Sequence, residues 1–154
     1  YAGELGHMTV SLHGPACSCG NTGCLELFAS IPAMVAVING TSPDQPKLNW
    51  QEIAAAEQQG DPHTHEVLSE CFHYLSAGLV NAINLLDPQA IFLGHELALA
   101  GDGILAVISP DMHRRVLAQQ HRNIPIAFSA FRHRSPVYGG AALVFDALLH
   151  EPMG

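Results

Sequence analysis

Three of the chain's four cysteines lie within eight residues, and a histidine precedes the first of them by ten positions. A disulfide explains this cluster poorly, because one residue separates the first two cysteines and no secretory signal opens the chain. Three thiolates and one imidazole are instead a donor set that closes a tetrahedral zinc site. The spacing H-x9-C-x-C-x4-C therefore predicts a structural Zn²⁺ held by His7, Cys17, Cys19 and Cys24. The alternative is a reduced, metal-free loop in which the cysteines cluster by chance.

The residues between these cysteines are typical of a tight metal-binding loop. Gly20 and Gly23 would provide turns that bring three sulfur atoms to one ion, since glycine adopts backbone conformations closed to other residues. The fourth cysteine, Cys71, stands alone in a helical pattern. We expect Cys71 to lie in the hydrophobic core, away from the metal.

The hydrophobic pattern predicts the elements that position this loop. Residues 5–12 are predicted as a strand leading into the loop, and the apolar stretch 25–38 as a short turn followed by a buried helix. Further helices are predicted over 50–59, capped by Asn49, over 62–86, capped by Asp61, and over 103–120. Strands are predicted over 90–93 and 124–130, and a last helix over 139–150. This order indicates an α/β fold with helices flanking a mixed sheet.

Composition excludes several classes of protein. The length of 154 residues suits one domain, which we expect to span 1–154. With 6 basic and 14 acidic residues the net charge is −8, whereas a nucleic-acid-binding module needs a basic face. Hydrophobic residues make up 48% of the chain, which is enough to bury a core. No apolar run approaches the roughly 20 residues of a membrane span, so we expect a cytoplasmic protein without membrane contact. Because no methionine opens the chain, we expect it to be a fragment of a longer protein.

Two motifs carry a resemblance to a known family. The stretch Gly3-Glu4-Leu5-Gly6-His7 and the later stretch CSCGNTGCLE, which runs from Cys17 to Glu26, resemble the ROK family of sugar kinases and sugar-responsive repressors. The segments 85–94 and 139–142 are similar to later motifs of the same family. The resemblance implies the actin-like, ribonuclease-H-like ATPase fold. This chain would be most of its second lobe, with the first lobe and any DNA-binding domain absent.

The resemblance also implies roles for individual residues. His7, Cys17, Cys19 and Cys24 would be the zinc ligands. Glu4 and Glu26 would hydrogen-bond sugar hydroxyls, and His7 would contact both zinc and sugar. A carboxylate suits vicinal hydroxyls because it accepts two hydrogen bonds. Without the family, Glu4 would be read as a solvated strand-edge carboxylate and Glu26 as a charge at a helix N-terminus.

Two functions remain open from the resemblance. One is the sugar-binding part of a transcriptional repressor, and the zinc-site sequence is most similar to the xylose-responsive repressors of the family. The alternative is a sugar kinase that uses ATP and Mg²⁺, whose catalytic base and phosphate loop would lie upstream, so no catalytic residue is predicted here. Family kinases carry a glycine pair where this chain has Gly94-His95, and a side chain there would crowd a nucleotide. The expected partners are a small sugar, DNA through an absent N-terminal domain, and further copies in a homodimer or homotetramer.

Overall fold

A computed structural model of the protein describes residues 3–41, 44, 46–117, 123–131 and 134–150. Within these residues, short 3-10 helices occur at Leu5–His7 and His95–Ala100. The α-helices are α1 (Glu26–Ala29), α2 (Ile31–Thr41), α3 (Trp50–Gln58), α4 (Pro62–Leu86), α5 (Gly103–Arg115) and α6 (Ser135–His150). The strands are β1 (Ile91–Leu93) and β2 (Ile126–Phe128).

Strands β1 and β2 form a parallel pair connected through α5. Ile91 pairs with Ile126 and Leu93 with Phe128. Both strands were predicted, and both are shorter than their apolar runs. Leu93 is buried, whereas Phe92 points to the other face and is 70% exposed. One face of this small sheet is therefore covered by the helices, and the other is open among the described residues.

The core lies between the long helix α4 and its neighbours, chiefly α5. Cys71 is buried in it, as predicted from its isolated position in the helical pattern. The side chains that fill the core without exposure are aliphatic or aromatic residues at helical spacing, among them Ile53, Leu68, Phe72, Ile104 and Ile108.

The helix starts follow the predicted capping chemistry. The Asn49 side chain accepts a hydrogen bond from the backbone N–H of Glu52, and the Glu52 carboxylate accepts one from the backbone N–H of Asn49. This reciprocal pair is a capping box. Asp61 accepts from the backbone N–H of Thr64 at 2.8 Å, with Pro62 in the first turn of α4. Both predicted helix starts are confirmed.

The predicted strand over 5–12 is wrong. The chain there makes a 3-10 turn, in which the backbone N–H of His7 donates to the carbonyl of Glu4, and afterwards only an isolated antiparallel bridge between Thr9 and Cys24. The alternating pattern of apolar residues misled the prediction, because this segment folds around the cysteine loop rather than along a sheet.

Other boundaries differ for physical reasons. Helix α5 ends at Arg115, because Val116 turns to an extended conformation and buries its side chain; residues 118–120 of the predicted helix lie outside the described residues. Helix α6 begins at Ser135, four residues before the predicted start. A proline at position 136 is compatible with a first helical turn, where its missing N–H has no partner in any helix.

Candidate metal centre

Backbone hydrogen bonds join the histidine-bearing segment to the cysteine loop. The N–H of Leu25 donates to the carbonyl of Met8 at 2.8 Å, next to the bridge between Thr9 and Cys24. Within the loop, the N–H of Cys17 donates to the carbonyl of Asn21 at 2.8 Å. These bonds bring residue 7 beside residues 17–24, although ten positions separate His7 from Cys17.

Gly23 and Gly20 make the turns of the loop in different surroundings. Both have positive φ, +66° and +92°, which disfavours other residues. A Cβ added to Gly23 would lie 1.7 Å from the carbonyl oxygen of Ser11, whereas one added to Gly20 would meet nothing within 4 Å. Gly23 is therefore required by a close backbone approach as well as by its conformation.

The four predicted ligands converge on one point. The imidazole nitrogen and the three sulfur atoms all lie within 4.8 Å of one another. His7 Nδ1 lies 3.7 Å from Cys17 Sγ, and Cys19 Sγ lies 3.7 Å from Cys24 Sγ. All four cysteines of the chain are free thiols, so the cluster is not a disulfide.

These separations fit a tetrahedral metal ion. With Zn–S bonds of about 2.3 Å and Zn–N bonds of about 2.0 Å, tetrahedral angles place two sulfurs about 3.8 Å apart and a sulfur and a nitrogen about 3.5 Å apart. Both observed distances of 3.7 Å are close to these values. The cluster of His7, Cys17, Cys19 and Cys24 could therefore hold a metal ion.

The thiols of the cluster differ in acidity. Burial raises the pKa of Cys24 to about 12, and hydrogen bonds with Cys17 and Cys19 add to the effect. The backbone N–H of Asn21 lowers the pKa of Cys19. The pKa of His7 is raised, mainly by its hydrogen bond with Cys17 and further by the charge of Glu26, which together outweigh desolvation. A metal ion binding here has to displace protons, since thiolate and neutral imidazole are the ligating forms.

Glu26 is the first residue of α1 and lies against the cluster. Its Oε1 is 3.0 Å from Cys17 Sγ, which donates to it, and 3.5 Å from His7 Nδ1. Glu4 is exposed at the start of the first 3-10 helix, and its charge contributes to the raised pKa of His7. The structure thus brings Glu26 to the cluster directly and leaves Glu4 at the rim.

Asn21 is a structural residue of the site that the motif alone did not single out. Its side-chain amide donates to Thr9 Oγ1 at 2.9 Å and lies 3.5 Å from the carbonyl of His7. The amide therefore ties the cysteine loop to the segment that carries His7. An asparagine between two glycines is read from sequence as a turn residue, so only the fold shows this second contact.

His95 follows Gly94 at the carboxyl end of β1 and has φ of +59°. A non-glycine residue in this region is uncommon and costs conformational energy. The side chain is exposed in the structure. This is the position at which the resemblance predicted that a side chain would crowd a nucleotide.

Solved structures with the same fold define the class of protein. The chain superposes with a TM-score of 0.77 on a ROK family glucokinase from Streptomyces griseus, solved with glucose and AMPPNP, at 26% identity over 92% of this chain and 51% of that one. It superposes with a TM-score of 0.83 on a ROK family transcriptional regulator, a homologue of E. coli Mlc, at 30% identity over 96% of this chain and 39% of that one. The predicted fold, the α/β lobe of an actin-like ATPase, is confirmed.

Sequence comparison then gives the family. The ROK family model matches residues 1–147, and the chain belongs to the ROK family. It is 32% identical to the xylose repressor of Bacillus subtilis over 149 residues, 97% of this chain and 38% of that protein. It is 33% identical to the E. coli transcriptional dual regulator NagC over 96% of this chain and 38% of that protein. The chain therefore spans less than half the length of these relatives. Among the described helices, none combines the length and apolarity that a membrane crossing requires.

Proposed function

We propose that residues 1–154 form the sugar-binding half of a transcriptional repressor of carbohydrate utilisation. They would be the second lobe of a regulator whose first lobe and DNA-binding domain lie outside this sequence. The observation that carries the proposal is the position of Glu26, whose carboxylate lies beside His7 at the cluster of candidate metal ligands. The relatives named as a xylose repressor and as a transcriptional dual regulator support regulation over catalysis.

The metal we propose is zinc, ligated by His7, Cys17, Cys19 and Cys24. Three sulfurs and one nitrogen favour Zn²⁺ over hard cations such as Mg²⁺, which prefer oxygen ligands. When bound, zinc would supply a structural anchor for the loop, because four protein donors leave no open position for a reactive water. Zinc sites of this kind contribute on the order of 10 kcal/mol to folding.

The chain's own residues would then bind the sugar through hydrogen bonds. His7 directs Nδ1 toward the sulfurs. Its Nε2 is left to exchange a hydrogen bond with a sugar hydroxyl, in a tautomer that the other nitrogen sets. The carboxylates of Glu26 and Glu4 would accept hydrogen bonds from neighbouring hydroxyls. Because the Glu26 carboxylate also accepts a hydrogen bond from the Cys17 thiol, a sugar bound to Glu26 would act directly on the cysteine loop.

Sugar binding would change the affinity of the regulator for DNA by shifting the populations of its open and closed states. A sugar bound between two lobes favours the closed arrangement only by its difference in affinity for the closed and open states. The partners would be a small sugar, DNA through a domain outside this sequence, and a second copy or three further copies. We place such a regulator in the cytoplasm.

A sugar kinase remains the second candidate, because the chain superposes on a glucokinase solved with glucose and AMPPNP. That function would require ATP and Mg²⁺. The exposed side chain of His95, where family kinases have glycine, argues against a nucleotide beside β1. The full-length protein, incubated with ATP, Mg²⁺ and a panel of pentoses and hexoses, should release no ADP. Sugar-dependent ADP release would establish the kinase instead.

Calorimetry on the full-length protein tests the sugar site directly. Glu26→Gln should weaken binding of the cognate sugar by about tenfold to a hundredfold, the effect of removing a hydrogen bond to a charged acceptor. Zinc content should stay at the wild-type value. Glu66→Gln, an exposed acid on α4 away from the cluster, is the matched control and should bind sugar normally. Unchanged affinity in Glu26→Gln would remove Glu26 from the sugar site.

A further inference from the structure

Asn21 is a loop asparagine whose backbone conformation does not require asparagine. Asparagine is common in tight turns partly because it tolerates positive φ. In the described part of the chain, the non-glycine residues with positive φ are Asp87 and His95, and Asn21 is not one of them. Alanine can therefore adopt the backbone conformation of Asn21 without the strain of a left-handed residue. What distinguishes asparagine from alanine at this position is its side-chain amide.

The backbone of Asn21 is bonded to two of the candidate metal ligands. Its carbonyl accepts a hydrogen bond from the backbone N–H of Cys17 at 2.8 Å. Its own N–H donates to the sulfur of Cys19. Both bonds use main-chain atoms of Asn21, so a replacement that changes only the side chain leaves them in place. They fix Asn21 relative to the cysteine loop, and its side chain extends from a held position.

The side-chain amide of Asn21 reaches the segment that carries His7. Its Nδ2 donates to Thr9 Oγ1 at 2.9 Å and lies 3.5 Å from the carbonyl oxygen of His7. The thiol of Cys24 also lies 3.5 Å from that carbonyl oxygen and donates to it. A cysteine that ligates a metal is a thiolate and has no proton to donate. Of these two donors, the amide of Asn21 is the one that remains beside the carbonyl of His7.

We propose that Asn21 is a positioning residue for the sugar site, which acts by fixing the backbone that carries His7. The inference rests on the function proposed above, in which Nε2 of His7 contacts the sugar. The N–H of His7 is bonded within its own turn, to the carbonyl of Glu4, and that bond moves with the turn. The amide of Asn21 instead joins the turn to the cysteine loop. Without it the peptide plane of His7 is free to rotate, and the imidazole meets a sugar in a wider range of orientations.

Main-chain bonds keep this segment in place when the amide is removed. The N–H of Leu25 donates to the carbonyl of Met8 at 2.8 Å, and Thr9 and Cys24 form an antiparallel bridge. Asn21 and Thr9 are also exposed, so water replaces part of what a lost hydrogen bond contributes. We therefore expect loss of the amide to lower sugar affinity moderately in a protein that still folds and binds metal.

Calorimetry on the zinc-loaded, full-length protein tests this role with D-xylose, D-glucose and N-acetyl-D-glucosamine, and the variants are compared with the sugar that binds most tightly. Asn21→Ala should weaken binding by about threefold to tenfold, the effect of one neutral hydrogen bond. Thr9→Val removes the acceptor and should weaken binding to a similar degree. The double variant should lie within about twofold of the weaker single variant, because both changes remove the same bond. Thr9→Ser keeps the hydroxyl and should bind like the wild-type protein.

Release of zinc to a coloured chelator gives a readout that does not depend on sugar. Asn21→Ala should start with a full equivalent of zinc and release it about tenfold faster, since contacts behind a metal ligand change metal affinity by this order. The matched control is Asn39→Ala. The Asn39 side chain likewise holds a loop, donating to the carbonyl of Leu48 at 3.0 Å and accepting from its N–H at 2.8 Å, but between α2 and α3. Asn39→Ala should lower the denaturation midpoint and leave sugar affinity and zinc release unchanged.

The outcomes separate this inference from the proposed function. Wild-type sugar affinity in Asn21→Ala would overturn the positioning role, and so would equal weakening by Asn39→Ala, which would make lost stability the cause. If Asn21→Ala is purified without zinc, Thr9→Val carries the same test, because it leaves the cysteine loop unchanged. If the wild-type protein binds none of the three sugars, the proposed function fails. The zinc-release rates then decide the inference alone: faster release from Asn21→Ala and Thr9→Val supports it, and unchanged rates overturn it.

Discussion

Replacing Gly23 by alanine should destabilise the cysteine loop far more than the same replacement at Gly20. Both glycines have positive φ, so alanine at either position incurs about 1–2 kcal/mol for the left-handed conformation. Only at Gly23 does the added Cβ also collide with backbone, at 1.7 Å from the carbonyl oxygen of Ser11. Because the backbone fixes the position of the Cβ and the oxygen belongs to the main chain, rotation of a side chain cannot relieve the contact.

The expected loss of stability follows from the backbone displacement that the new Cβ requires. To reach an ordinary van der Waals separation of about 3.4 Å, the segments that carry Ser11 and Gly23 must part by about 1.7 Å. Gly23 donates to Pro15 at 2.8 Å and accepts from Val10 and Ser11 at 2.9 and 3.3 Å, and this movement breaks or weakens all three bonds. At about 1 kcal/mol each, their loss adds about 3 kcal/mol to the conformational cost. We expect a total loss of about 4–5 kcal/mol for Gly23→Ala, against about 1–2 kcal/mol for Gly20→Ala.

Metal content and denaturant unfolding of the full-length protein measure both parts of this prediction. Gly20→Ala should keep a full equivalent of zinc, because its loop relaxes into open space. Gly23→Ala should lose zinc, since Cys24 follows directly and metal sites tolerate ligand displacements of only about 0.2 Å. Equal losses of stability in the two variants would mean that conformation alone, and not the approach of Ser11, requires glycine at position 23. Retention of zinc by Gly23→Ala would refute the geometry of the loop.

Four further predictions concern a candidate zinc ligand, a helix cap, a buried carboxyl group and the left-handed residue His95. Cys17→Ser should lose zinc and lower the denaturation midpoint together, and unchanged metal content by mass spectrometry would remove Cys17 from the ligand set. Asn49→Ala should cost about 1 kcal/mol in the free energy of unfolding, because it removes the cap of α3; an unchanged midpoint would contradict it. Burial raises the pKa of Asp111, but the hydrogen bond from His73 and neighbouring positive charge outweigh this and hold it below its usual value. Its folded pKa is then lower than the unfolded pKa of about 3.9, so its stabilisation is present above pH 4 and lost as pH falls through the folded pKa. Asp111→Asn should flatten that acid limb of the stability curve, and an unaltered limb would show that other carboxylates produce it. His95→Gly should raise stability by about 0.5 kcal/mol or more, because relief of a left-handed residue exceeds the entropy that glycine adds to the unfolded chain; a loss of stability would mean that the histidine side chain makes a stabilising contact.

Local chemistry explains why much of this protein was predictable from its sequence. The starts of α3 and α4 follow from Asn49, Asp61 and Pro62, since a cap acts within four residues of its own position. The burial of Cys71 followed from helical periodicity alone. The convergence of the four candidate ligands was predictable from donor type and spacing, because three cysteines and a histidine at such short spacing are typical of a metal site.

The errors arose where distant contacts decide conformation. Residues 5–12 alternate like a strand, but their hydrogen bonds go to the cysteine loop, at Gly23 and Cys24, rather than to a neighbouring strand. The end of α5 depends on the burial of Val116, which the local sequence pattern does not predict. The left-handed conformation of His95 likewise has no signature in a histidine, and it arises from how the chain leaves β1.

By itself, the sequence determined the four candidate metal donors, the helix caps and most of the alternation of helices and strands, because each depends on residue type and short spacing. Only the tertiary structure decided that Ser11 approaches Gly23 and that Glu26 lies against His7 and Cys17. These contacts join residues that are distant along the chain. The packing of the whole chain therefore determines them, and the local sequence pattern does not.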